Sequence, residues 1–113
     1  MKAKLFIFLL IFSSFANAKS VVSCQFDHNL DHIEDVRVET EPGAEKRLIF
    51  NNEYLTAYIT EKSHSNFEVE AFLPEQQMRL YALGALSEYS HTLVLTSWSR
   101  EMLVEISCRL FRP

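Results

Sequence analysis

The segment 27–35 (DHNLDHIED) holds the densest set of side chains that could bind a metal ion. Alternate oxygen-bearing residues repeat the D-x-N-x-D opening of calcium-binding loops, at Asp27, Asn29 and Asp31. His32 then stands where the calcium loop requires glycine, and Val38 stands where its bidentate glutamate belongs. The calcium motif is therefore partial, and the sequence favours an acidic, solvated loop that joins two strands.

The four histidines match metal or catalytic sites only in part. His28 and His32 have the four-residue spacing of zinc ligands on a helix, but the sequence identifies no third fixed ligand. His64 and His91 each follow a serine, yet no G-x-S-x-G elbow or other nucleophile motif accompanies them. Exposed loop histidines are the interpretation that the sequence favours.

Glu68 and Glu70 are a pair of acidic residues whose spacing could suit catalysis by two carboxylates. On a strand they lie on one face, roughly 7 Å apart, which is a separation that glycoside hydrolysis can use. Alternating glutamates on a solvated strand face are more ordinary, and the chain is short for a substrate cleft. We assign no catalytic residue, no metal ligand and no cofactor, and we favour a protein that is not an enzyme.

Residues 1–18 have the three parts of a cleavable signal peptide. Lys2 and Lys4 supply the positive start, 5–12 is an unbroken apolar run, and 16–18 (ANA) is a small-x-small cleavage pattern. The apolar run is too short to cross a bilayer as a helix. We predict a signal-peptide helix over 1–18, one domain over 19–113, and a periplasmic or secreted location without membrane attachment.

Charge and cysteine content narrow the class of the predicted domain. Removal of Lys2 and Lys4 leaves nine basic residues against 15 acidic ones, a net charge of −6, so nucleic-acid binding is excluded. In an exported chain the two cysteines form a pair, which predicts a Cys24–Cys108 disulfide. Segment 21–24 (VVSC) only loosely resembles a lipobox, because Lys19 places a charge just upstream.

Short segments with period-two alternation follow one another along the predicted domain. Eight of them are predicted strands, separated by short polar turns: 21–26, 35–40, 47–50, 54–61, 67–73, 78–84, 92–98 and 102–110. Both cysteines share the apolar face of the first and last strands. These strands must therefore lie side by side, which predicts an all-β antiparallel meander closed into a small barrel or partly open, with a sandwich as the alternative.

The hairpin around Pro74 can be predicted at the level of register. A four-residue turn over 74–77 places Leu73 opposite Met78 and Phe72 opposite Arg79, and it separates an apolar face from a mixed one. The alternative is a helix over 74–86, because PEQQMRLYALGAL contains good helix formers.

Aromatic residues on the mixed strand faces provide the clearest functional hint. On this register Tyr58, Phe72, Arg79 and Tyr81 form a candidate binding face, while Tyr54 and Trp98 are further aromatic candidates. We expect a small exported binding or structural domain whose partner is another secreted or envelope protein. The alternatives are a barrel that carries an apolar ligand and a periplasmic inhibitor of a hydrolase, for which the acidic charge suits a basic target.

Overall fold

The computed structural model describes residues 19–111, and every regular element in this range is a β-strand. The strands are β1 (Ser20–His28), β2 (Asp31–Thr40), β3 (Arg47–Asn51), β4 (Thr56–Ser63), β5 (Asn66–Leu73), β6 (Met78–Ala85), β7 (Thr92–Trp98) and β8 (Leu103–Leu110). The all-β prediction is confirmed. Across 19–111 no helix is long and apolar enough to span a membrane. The predicted signal peptide and its helix lie outside the described residues.

The strands form two antiparallel four-stranded sheets. The terminal sheet has the order β2-β1-β8-β7, and the central sheet has the order β3-β4-β5-β6. Strands that are consecutive in the chain are neighbours within each sheet, as a meander requires, but the hydrogen-bonded ladder is interrupted between β2 and β3 and between β6 and β7. The prediction of a closed barrel is therefore wrong, and the sandwich alternative agrees with the two sheets.

The connections between the sheets explain why the ladder does not close. Residues 41–46 join β2 to β3 and residues 86–91 join β6 to β7, and both segments are too long for tight hairpins. Gly84 lies at the second corner, where a Cβ atom would stand 2.9 Å from Leu93 Cδ1. The tip of the Leu93 side chain on β7 therefore packs against the backbone of β6 at this point, and a Cβ atom here would require that tip to shift.

The β5–β6 hairpin has the predicted register. Leu73 pairs with Met78 and Phe72 with Arg79, and the pairing continues without a bulge to Asn66 and Ala85. The helix alternative over 74–86 is wrong. Half-buried and exposed residues alternate along β6 with a period of two, so this segment gains more by covering one face of a sheet than by forming an isolated helix.

The inner faces of the two sheets enclose a filled apolar core. Its largest members are Phe26, Phe50 and Phe67, each at most 1% exposed, and the rings of Phe26 and Phe50 lie 5.7 Å apart. Each large apolar side chain buried in this way contributes about 1.5–3 kcal/mol from the transfer out of water. Side chains, rather than an internal cavity, therefore occupy the space between these positions.

A disulfide joins the two ends of the chain within the terminal sheet, as predicted. Cys24 on β1 pairs directly with Cys108 on β8, with 4.1 Å between their Cα atoms, and both residues are completely buried. Such a separation is typical of a non-hydrogen-bonded antiparallel pair, in which side chains are closest. The bond therefore fixes the register of the two central strands of this sheet.

One buried carboxylate lies near the end of the core. Glu61 on β4 is 2% exposed and accepts a hydrogen bond of 2.9 Å from the hydroxyl of Thr40, the last residue of β2. Its second oxygen accepts a hydrogen bond from the backbone N–H of Ser65. These bonds satisfy a group that would otherwise be costly to bury, and they tie the two sheets together at this end.

Candidate functional site

The outer face of the central sheet carries an exposed apolar cluster, which we call the apolar face. Its members are brought together by strand register: Leu48 pairs with Tyr58, Tyr58 pairs with Glu70, and Glu70 pairs with Tyr81. Phe72 and Leu83 flank this row on the two neighbouring rows. The apolar face therefore consists of Leu48, Tyr58, Phe72, Tyr81 and Leu83.

The side chains of the apolar face are more exposed than apolar residues that are buried at the edge of a core. Leu83 is 68% exposed, Tyr81 55%, Leu48 50% and Phe72 39%, whereas Tyr58 is half-buried. Large apolar side chains exposed singly are normal, but several on one sheet face, with charged residues between them, are typical of an interaction surface.

Cationic side chains contact two of the three aromatic members of the apolar face. The guanidinium of Arg79 lies 5.6 Å from the centre of the Phe72 ring, and the ammonium of Lys46 lies 4.5 Å from the centre of the Tyr58 ring. Lys46 also forms an ion pair of 3.6 Å with Glu70. These contacts restrict rotamers before any partner arrives, which lowers the entropy lost on binding.

The four residues predicted as a binding face, Tyr58, Phe72, Arg79 and Tyr81, lie together on this surface. Sequence reasoning missed Leu48 and Leu83. Leu83 follows Tyr81 by two positions on β6, so the same alternation could have found it. Leu48 was hidden, because a register shift between Leu48 and Phe50 interrupts the alternation along β3.

The other aromatic candidates lie elsewhere. Tyr54 precedes β4 and packs against the core; its ring stacks on His28 at 4.0 Å, and the charge of Glu53 raises its pKa. Trp98 is 85% exposed at the end of β7, on the outer face of the terminal sheet. Neither residue belongs to the apolar face.

Segment 27–35 is a tight hairpin and not the acidic loop that the sequence favours. β1 extends to His28, β2 begins at Asp31, and the two turn residues Asn29 and Leu30 both have positive φ angles, 50° and 72°. This combination is typical of a two-residue type I′ turn. The side-chain oxygen of Asn29 accepts a hydrogen bond of 2.8 Å from the backbone N–H of Leu103, which anchors the turn to β8.

A bulge in β2 brings Asp27, His32 and Asp35 together. The register shifts after Phe26, so that Asp27 pairs with His32. His32 Nδ1 lies 3.2 Å from a carboxylate oxygen of Asp27 and Nε2 lies 3.1 Å from one of Asp35, so the protonated imidazole can donate to both. The hydrogen bond to Asp27 is the main cause that raises the pKa of His32, because both carboxylates favour the protonated imidazole.

The metal interpretations of this segment do not match its geometry. The zinc spacing of His28 and His32 required a helix, but the two histidines lie on different strands and have different partners, Tyr54 and the two aspartates. Within residues 19–111, no three or more His, Cys, Asp or Glu side chains are grouped closely enough to hold a metal ion.

Three of the remaining four polar candidates, His91, Glu68 and Glu70, have local ion-pair partners. His64 lies in the β4–β5 turn, and His91 pairs with Glu88 at 3.6 Å. Glu68 and Glu70 lie on the outer face of β5, and each forms an ion pair with a lysine, Lys62 and Lys46 respectively. A carboxylate held by a lysine on a sheet face lacks the cleft that glycoside hydrolysis needs.

The fold and the apolar face define a class: a small antiparallel β-domain of two sheets, with its ends joined by a disulfide and one outer sheet face apolar. Comparison with known proteins finds no matching family, no curated protein of similar sequence and no solved structure of similar fold.

Proposed function

We propose that this chain is a non-enzymatic binding domain of an exported protein, and that it recognises a partner protein through the apolar face. The observation that carries the proposal is the exposure of four large apolar side chains, Leu48, Phe72, Tyr81 and Leu83, on one outer sheet face. Aromatic anchors rimmed by arginine are the composition that protein–protein interfaces favour. The flat shape of a sheet face suits a protein surface better than a small molecule.

The charge of the chain supports a basic partner. The sequence has a net charge of −4, and −6 if the first 18 residues are removed. Long-range attraction between opposite charges accelerates the encounter, while the apolar face supplies affinity after contact. A basic secreted hydrolase, such as a lysozyme, is a partner of this chemistry, and an inhibitor of such an enzyme is the specific form of the proposal.

The disulfide supports an exported location, because such bonds persist in oxidising compartments. A carrier of an apolar ligand is supported less well. Phe26, Phe50 and Phe67 fill the space between the sheets, so a ligand would have to displace the core that holds the domain together.

Binding to purified basic secreted hydrolases, beginning with a lysozyme, tests this proposal. The wild-type chain and a Tyr81→Ala variant are compared by biolayer interferometry and by inhibition of the enzyme. The Tyr81 ring is an anchor of the apolar face, so we expect its removal to weaken binding at least about tenfold, or about 1.4 kcal/mol.

Trp98→Ala is the matched control, because Trp98 is an exposed aromatic residue on the other sheet. We expect this variant to bind as the wild type does. Equal losses in both variants, or no loss in Tyr81→Ala, would contradict the proposed face. Binding to none of the enzymes would exclude the hydrolases tested as partners.

A further inference from the structure

The outer face of the terminal sheet contains a depression of about 600 Å³, which we call the polar depression. Its lining includes two short side chains on the central strands, Ser23 on β1 and Ser107 on β8. Longer side chains also line it, namely Arg37, Arg109 and Gln25. A depression of this size falls within the range of small-molecule sites.

Strand register places two arginines on either side of one serine. Ser23 pairs with Arg37 on β2 and with Arg109 on β8, and Arg109 pairs in turn with Thr92 on β7. Each arginine is therefore one strand away from Ser23, about 5 Å between backbones. Their long side chains can reach a single group above the serine hydroxyl.

Neither guanidinium is neutralised by a carboxylate within residues 19–111. Arg37 stacks on the ring of Phe111, 3.8 Å from its centre, and this contact orients the guanidinium without using its N–H donors. Arg109 has no side-chain partner in this part of the chain. Two unpaired positive charges are thus concentrated in one depression of an acidic protein, which favours an anion between them.

The hydrogen-bonding groups around the arginines indicate the class of anion. Guanidinium groups match the two oxygens of a carboxylate. The hydroxyls of Ser23, Ser107 and Thr92 can both donate and accept, and Asp35 at the edge can accept from a ligand hydroxyl. A ligand that combines a carboxylate with several hydroxyl groups uses all of these features.

We infer that the polar depression is a binding site for a sugar acid, with Arg37 and Arg109 as the carboxylate-binding residues. The polar depression lies on the outer face of the terminal sheet, whereas the apolar face lies on the outer face of the central sheet. Ligand binding in the depression therefore does not rest on the proposed protein partner. The ligand is either a free sugar acid or an acidic residue within a polysaccharide, because both present the same chemistry.

Backbone amide chemical shifts of the ¹⁵N-labelled protein measure binding directly. The probes are D-galacturonate, D-galactose, which differs from it in the carboxylate, and tri-galacturonate. We expect D-galacturonate to shift the amides near Ser23 and Arg109 in a saturable way, and D-galactose to leave them unchanged. Tighter binding of tri-galacturonate than of the monomer indicates a polysaccharide source, and equal binding indicates a free sugar acid.

Three glutamine variants test the assignment of the two arginines. Arg37→Gln and Arg109→Gln each remove one charged hydrogen-bonding group, and we expect each to weaken D-galacturonate binding at least about tenfold. Arg100→Gln is the control, because Arg100 is an exposed arginine between β7 and β8, outside the polar depression. The amide spectra show whether each variant is folded.

Three results would overturn the inference. The first is that about 20 mM D-galacturonate leaves the amide chemical shifts unchanged, because this would mean that its affinity is negligible. The second is binding that survives in both Arg37→Gln and Arg109→Gln. The third is binding of inorganic phosphate as tight as that of D-galacturonate, because this would show a general attraction of anions without recognition of the sugar.

Discussion

Replacing both cysteines, as Cys24→Ala with Cys108→Ala, removes the covalent bond between β1 and β8. The two residues are 84 positions apart in the sequence, so the bond constrains most of the unfolded chain. On the chain-entropy account, closing a loop of this length stabilises the folded state by about 4.5 kcal/mol. Small domains have net stabilities of about 5–15 kcal/mol, so the loss is a large fraction of the total.

The double variant also removes two buried sulfur atoms, and a third sample separates the two effects. The wild type, unfolded in urea with a reductant and then refolded in its presence, keeps every atom of the core but lacks the bond. Unfolding is required because both cysteines are completely buried and protected from the reductant. We expect this reduced wild type to account for most of the destabilisation.

Urea unfolding followed by circular dichroism gives the free energies of the three samples. For a domain of this size, a loss of about 4.5 kcal/mol lowers the melting temperature by about 20 °C or more. If the reduced wild type were within about 0.5 kcal/mol of the oxidised protein, the bond would contribute little and the chain-entropy argument would be refuted.

Three further predictions concern single positions. Gly84→Ala places a Cβ atom against the flexible tip of the Leu93 side chain, which must shift, so we expect a loss of at most about 1 kcal/mol in urea unfolding; a loss of about 3 kcal/mol or more would show that this tip cannot move aside. Thr40→Val removes the hydroxyl that donates a hydrogen bond to the buried carboxylate of Glu61, and we expect the free energy of unfolding to fall by about 1–3 kcal/mol in the same assay. The raised pKa of His32 stabilises the fold fully below its ordinary value of 6.5, and this contribution disappears as the pH rises through the folded-state pKa. We therefore expect His32→Gln to be less stable than the wild type at about pH 5.5 and equal to it at about pH 8.5, and an NMR titration that places the pKa of His32 at or below 6.5 would contradict this.

The strands, the disulfide and the β5–β6 register could be predicted because each depends on local alternation or on a single pair of residues. Leu73 and Met78 flank a turn without a bulge, so counting from the turn gives the whole hairpin. The break between the sheets could not be predicted in this way. It concerns β6 and β7, which follow each other in the chain but belong to different sheets, so counting residues from a turn does not reveal it.

The bulge in β2, opposite Phe26 and Asp27, is one reason why the structure of segment 27–35 was not predicted. It places His32 and Asp35 on the same face of β2, whereas strict alternation would have put residues three positions apart on opposite faces. The tight turn was hidden as well, because it contains no glycine and one of its positive-φ residues is Leu30. Asparagine tolerates such angles, but leucine there is unusual.

The polar depression was missed although part of the information was present. Had Cys24 and Cys108 been treated as direct cross-strand partners, the positions beside them would have followed, with Ser23 opposite Arg109. The position of Arg37 would not have followed, because without the bulge in β2 the hairpin register places Val36 opposite Ser23. A disulfide within a sheet therefore gives register information as well as stability.

The division of the chain between the two sheets also has a consequence for the order of folding. The central sheet is built from one continuous stretch, β3 to β6, whereas the terminal sheet needs strands from both ends. During synthesis the first hairpin emerges long before β8, the strand that completes its sheet. One side of β1 therefore stays unpaired until β8 has been synthesised, and we expect the long-range pairing of β1 with β8 to be slower than formation of the hairpins.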